Sequence, residues 1–165
     1  MSAMSPRIDY IKQSQEPMKA MYALERYLHT GSDIEPQLTH LLKLRASQIN
    51  GCAYCIDMHS KDLLAGGETI QRIYGLDAWR ESPYYSDRER AALEWIEAVT
   101  KIADTHADDE IYEKVKPHFS EKEIADLTWI AATINAWNRL AISMRTVPGT
   151  YQPAKSSAAS QRVTA

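Results

Sequence analysis

The chain has 165 residues, 44% of them hydrophobic and 25% charged, which points to one globular domain with a sizeable core. Its formal charge is −3, with lysines and arginines scattered, which excludes the basic footprint of a nucleic-acid binder. No segment reaches the roughly 20 apolar residues of a membrane span, and the start MSAMSPRIDYIKQ lacks the apolar run of a secretory signal, so a cytoplasmic location is expected.

In chain order the patterns are helical. Ser14 and Pro17 suit a helix start; Met21, Leu24 and Leu28 follow at helical spacing before Gly31. Pro36 fits the first turn of a second helix, whose stripe is Leu38, Leu41, Leu42, Ala46 and Ile49. Asn50-Gly51 ends that helix and opens a third, which carries Cys52, Cys55, Ile56, His59 and Leu63 on one face and stops at Gly66-Gly67. A short helical piece spans Thr69 to Gly75, and Trp79 to Tyr85, with Pro83, reads as a loop. Ser86-Asp87-Arg88-Glu89 is a capping-box pattern ahead of a stripe of Ala92, Trp95, Ile96, Val99, Ile102 and Ala103. Ser120-Glu121-Lys122-Glu123 repeats the signature before a helix reaching about Met144. That helix is apolar on several sides, which predicts burial in the centre or between subunits. Ile134, Trp137 and Leu140 are therefore expected at or near a subunit contact, and such an interface is one place where Asn135 and Asn138 would find the buried partners they need. No window alternates with period two, so the fold class is all-α. One helical domain over 1–150 is expected, followed by a small, polar tail at 151–165 whose composition predicts disorder.

The stretch QINGCAYCIDMHSKDLLAGG, from Gln48 to Gly67, holds both cysteines of the chain. In a reducing compartment such a pair reads as catalytic or metal-binding rather than as a staple. Positions i and i+3 share a helix face, so Cys52 and Cys55 can close a disulfide. The N–H groups and dipole at a helix N-terminus stabilise a thiolate. His59 lies one turn past Cys55 and can take the thiol proton or stabilise the thiolate. A thiolate there can attack a peroxide oxygen and become a sulfenic acid, which the second cysteine converts to a disulfide. A zinc site is a poorer fit, because CxxCxxxH offers three ligands and no further cysteine exists. Haem attachment needs a histidine at position 56, where Ile56 stands. A buried structural pair stays open.

The segment LLKLRASQINGCAYCIDMHSKDLLAGGE resembles the AhpD-like alkylhydroperoxidase branch of the carboxymuconolactone decarboxylase family, and SDRERAALEWIEAVT and INAWNRLAISMR continue the likeness more loosely to about Gly149. The resemblance implies an oligomeric AhpD-like helical bundle, a homotrimer or homohexamer, with thiol-dependent peroxidase activity. By position, Cys55 resembles the peroxidatic cysteine, Cys52 the resolving cysteine and His59 the proton-transfer histidine. Better-studied members carry a glutamate where this chain has His40, so His40 becomes a candidate relay residue whose ring should point toward Cys52, Cys55 or His59. Tyr54 stands where some members have a second histidine, and reads as a packing or rim residue.

The function expected is thus a peroxidase or thiol–disulfide oxidoreductase with Cys55, Cys52, His59 and His40 as its catalytic residues. Its partners would be a peroxide and a dithiol reductant or reductase; no cofactor and no metal is expected. The alternatives are a non-enzymatic redox sensor or a metal-binding oligomer using the same CxxCxxxH residues. Trp95, Trp129 and Trp137 read as core or interface aromatics, and His29, His106 and His118 as ordinary surface residues.

Overall fold

The computed structural model describes residues 5–153. Most of the tail expected over 151–165 therefore lies outside the described residues. The described residues form helices joined by turns and short loops, with no strand among them.

The first two helices, α1 (Tyr10–Gln13) and α2 (Gln15–Thr30), meet at Ser14, and Gly31 ends α2. Helix α3 (Pro36–Asn50) begins with proline at its first position, where the missing N–H costs nothing. Its residues from Leu41 to Ser47 are all buried, so α3 is an axis of the molecule. It packs against α4 (Ala53–Ala65), then against α6 (Asp87–Thr100) and α9 (Glu121–Met144) further along the chain. Between α4 and α6 lie α5 (Ile70–Gly75), the single 3₁₀ turn Leu76–Ala78 and a loop. Between α6 and α9 lie α7 (Ile102–Thr105) and α8 (Asp109–Val115). Both expected capping boxes are present: Ser86 and Ser120 accept from the backbone of Glu89 and Glu123, whose side chains reach back.

Three expectations change. The stripe through Ile102 and Ala103 is not one helix. Helix α6 stops at Thr100, Lys101 turns the chain, and the Thr105 hydroxyl bonds the Ala98 carbonyl. The turn lets α8 pack on α6, with the Tyr112 ring 6.0 Å from Trp95, and leaves Ile102 half exposed. Second, Ile134 is fully buried inside this one chain rather than at a subunit surface, and the Trp137 indole donates to Glu25 Oε1 at 2.8 Å. Third, Asn135 and Asn138 find their partners within the chain: the Asn50 amide donates to both, at 3.0 and 2.8 Å. Trp95 is a core aromatic as expected, whereas Trp129 is half exposed on α9.

Charged groups also join the core. Arg45 on α3 donates to Glu97 on α6 at 2.6 Å, and Trp79 and Arg80 donate to the same carboxylate at 2.8 and 2.7 Å. Burial pushes the Glu97 carboxyl up, but the bonds from Trp79, Arg80 and Arg45 outweigh it and hold the pKa below the ordinary glutamate value. A lowered pKa gives stability that is present above the unfolded value and lost as pH falls through the folded one. Removing Glu97 leaves the buried Trp79 N–H and Arg45 Nε without their acceptor, while Arg80 turns to solvent. Glu97→Ala should therefore cost about 3–5 kcal/mol, read as a lower urea midpoint with an unchanged slope. Glu97→Gln should flatten the loss of stability that the wild type shows below about pH 4.

Candidate active site

The site is built where α3 turns into α4. Gly51 ends α3 with φ 70° and ψ 33°, the left-handed region where a side chain is strained. Its N–H and that of Cys52 return to the last carbonyls of α3, with Cys52 N donating to Ser47 O at 3.0 Å. This turn places Cys52 at the N-cap of α4 rather than inside the helix. Its sulfur accepts from the Cys55 backbone N–H at 3.4 Å. The two cysteines have Cα atoms 5.4 Å apart and form a disulfide. Both side chains are buried.

The two cysteines line different depressions. Cys55 lines a cavity of about 280 Å³ enclosed by α1, α2, α3, α4 and α9. Cys52 lines a smaller one of about 120 Å³, walled by Ala141, Ile142, Arg145 and Thr146 at the end of α9. Tyr54 borders both, the rim position expected of it.

His59 and His40 share the larger cavity with Cys55. The His40 ring does face His59: their Nδ1 atoms are 3.2 Å apart. With one Nδ1 protonated and the other not, this is one hydrogen bond between two neutral rings. His59 is buried, and its Nε2 has no hydrogen-bond partner among the described residues. Burial pushes the His59 pKa well down, and the Lys43 ammonium pushes the same way. Burial also lowers His40, against the opposing pull of Asp62. Both imidazoles are therefore neutral near pH 7, the form that can accept a proton.

Several site residues escape a reading of the sequence. Asp62, on α4 three residues after His59, sets Oδ2 3.7 Å from His40 Nδ1. Its Oδ1 accepts from the Tyr151 hydroxyl at 2.6 Å. The segment before Tyr151 is clipped to the same helix: Gly149 N–H donates to Asp57, and Lys61 to the Tyr151 carbonyl. Tyr151 thus belongs to the cavity wall, although the sequence puts it at the start of a polar tail. Lys43 is nearly inaccessible and donates to Glu25 at 2.5 Å, which balances its charge. His29 also departs from expectation. It is exposed to solvent but lines the cavity, its ring 5.6 Å from that of His40. Only the Asp62 spacing, one turn beyond a candidate base, could have been noticed in advance.

Chemically, the arrangement places a disulfide-forming pair beside a neutral buried imidazole that is backed by a second imidazole and a carboxylate. Among the described residues, no helix is long and apolar enough to cross a membrane.

The model of the carboxymuconolactone decarboxylase family matches residues 15–98, which contain both cysteines, His29, His40, Lys43, His59 and Asp62. The uncharacterised protein YdfG of Bacillus subtilis (strain 168) is 45% identical over 141 residues, 86% of this chain and 95% of that protein. A crystal structure from Agrobacterium tumefaciens, of a protein of unknown function provisionally named as the antioxidant defence protein AhpD, is 46% identical. It superposes with a TM-score of 0.85 over 89% of this chain and all of that one. An uncharacterised peroxidase-related protein from Silicibacter sp. TM1040 shares the fold alone, at 24% identity and a TM-score of 0.72, over 83% of this chain and 72% of that one. With a family match over half its length and close relatives along nearly all of it, the chain belongs to the AhpD-like branch of the carboxymuconolactone decarboxylase family.

Proposed function

We propose that the protein is a thiol-dependent peroxidase that reduces an organic peroxide through the Cys52–Cys55 dithiol. One observation carries the reading: Cys55, His59 and His40 line a single cavity, with Cys52 at bonding distance from Cys55 on its other side.

In the reduced protein His59 accepts the Cys55 thiol proton, and its unpartnered Nε2 is the nitrogen available for this. The thiolate sulfur attacks one peroxide oxygen. A sulfur–oxygen bond forms, the O–O bond breaks, and the alkoxide leaves as alcohol after taking a proton. The Cys52 sulfur then attacks the sulfenic acid, forming the disulfide and releasing water. A dithiol donor returns the pair to thiols through a mixed disulfide. The two depressions suit this division: peroxide reaches Cys55 from the larger, and the donor's thiol reaches Cys52 from the smaller. His40 and Asp62 hold His59 and share its proton.

Position at the N-cap favours a thiolate at Cys52, while the base and the larger cavity favour Cys55. General-base access contributes about 10²–10⁴-fold and outweighs a dipole effect of about 1 kcal/mol or less, so Cys55 is the nucleophile. One equivalent of peroxide should leave a trappable sulfenic acid at Cys55 in Cys52→Ser, and Cys55→Ser should stay largely unreacted. The reverse pattern would assign the nucleophile to Cys52. Sulfenic acid in neither would turn the reading toward disulfide exchange. Repeated turnover with a dithiol separates an enzyme from a sensor that oxidises once.

His59→Ala should lower the rate of thiol oxidation by about 10²-fold or more. His40→Ala should lower it less, and His40→Glu should keep or raise it; equal rates for wild type and His40→Ala would remove His40 from the relay. The family likeness also supports a homotrimer or homohexamer, and light scattering that shows a monomer at all concentrations would refute it.

A further inference from the structure

The replacement of an expected acidic residue by His40 brings together three groups of metal-ligand type. His40, His59 and Asp62 each offer one donor atom, and these atoms all lie within 4.8 Å of one another. We propose that His40, His59 and Asp62 form a binding site for a divalent transition-metal ion of the zinc type, and that an ion held there takes His59 out of proton transfer. The second half rests on the function proposed above; the first stands without it.

Two of the three ligand-to-ligand distances fit a small tetrahedral ion, and the third, His59 to Asp62, lies within 4.8 Å and closes by rotation of the Asp62 carboxylate on binding. Metal–nitrogen and metal–oxygen bonds of about 2.0–2.2 Å place neighbouring tetrahedral ligand atoms about 3.4 Å apart. The two Nδ1 atoms are 3.2 Å apart, and His40 Nδ1 lies 3.7 Å from Asp62 Oδ2. His59 and Asp62 stand three residues apart on α4, and His40 faces them from α3. The site is therefore held by two packed helices, without reliance on a loop. The second carboxylate oxygen of Asp62 accepts from Tyr151, the kind of outer partner that fixes a ligating carboxylate. The cavity of about 280 Å³ beside the cluster has room for a water or another ligand in a fourth position.

The charge and donor set select the class of ion. Two imidazoles and one carboxylate suit zinc and its neighbours, whereas magnesium and calcium require more oxygen ligands. The buried Lys43 ammonium is paired with Glu25, which offsets part of its repulsion of a cation, and the Asp62 carboxylate supplies the opposing charge.

The consequence for His59 follows from its two nitrogens. An ion on Nδ1 requires the ring proton to sit on Nε2. The ring then has no free lone pair with which to accept the Cys55 proton. An occupied site thus silences the base without touching either sulfur.

The test uses oxidised protein, in which the cysteines are joined and cannot compete as ligands. Zn²⁺ should bind with one site per chain by calorimetry, and Co²⁺ should give the visible absorption of a low-coordinate N/O site. Affinity should fall by about tenfold or more in Asp62→Asn and in His40→Gln, with circular dichroism confirming that each variant is folded. No binding, or equal affinity in wild type and both variants, would overturn the site. In a second arm, reduced protein freed of reductant receives one equivalent of peroxide with and without Zn²⁺. Zn²⁺ should slow thiol oxidation more in wild type than in Asp62→Asn, which keeps both thiols. Equal slowing would place the effect on the thiols and overturn the link to His59. Because the first arm requires no turnover, absence of peroxidase activity would leave the site standing.

Discussion

The Asn50 amide donates to Asn135 and Asn138 across the contact between α3 and α9, and the chemistry depends on what this fixes. Asn138 in turn donates to Ser47 at 3.1 Å, and the Ser47 hydroxyl bonds the Lys43 carbonyl. Helix α3 is thereby tied to the long C-terminal helix over its last two turns. The next residue, Gly51, reverses the chain in a conformation that side chains resist. Cys52 can then cap α4 with its own sulfur. Leaving the buried Asn138 amide unpaired would cost about 1–3 kcal/mol, and that cost is borne at the base of the corner that carries both cysteines.

The same economy shapes the charges around the cavity. A lone buried ammonium is expensive, and Lys43 avoids this by pairing with Glu25, which also receives the Trp137 indole. The two imidazoles avoid it by remaining neutral, as burial favours. The cavity therefore presents neutral imidazoles near pH 7. Exclusion of water strengthens each of these contacts, because fixed dipoles are not competed away.

The first and last described segments close over the site. Tyr10 and Ile11 of α1 border the cavity from one side, and Tyr151 closes it from another. Arg7 bonds the Met144 and Ser143 carbonyls, and Gly149 and Tyr151 are held by Asp57, Lys61 and Asp62. The walls of the cavity thus draw on residues from both ends of the described chain.

Local rules made much of this protein legible in its sequence. Helix starts at Ser86 and Ser120, the proline at the head of α3 and the glycine after it are decided within four residues, where capping groups find their partners. The alignment of Cys55 and His59 along one face of α4 follows from helical spacing alone, while Cys52 stands at the cap of that helix. The stripe past Val99 misled because packing of α8 on α6, not local pattern, ended the helix. That Asn135 and Asn138 need buried partners is legible locally, but the partner itself, Asn50, lies 85 and 88 residues away. His40 meets His59 across 19 residues, and Tyr151 meets Asp62 across 89. The sequence by itself determined the helices and the thiol motif, because those depend on neighbours a turn apart. Only the tertiary structure decided that the cavity holds a histidine pair, a carboxylate and a balanced lysine, because their proximity depends on how helices far apart in the chain bury their faces together.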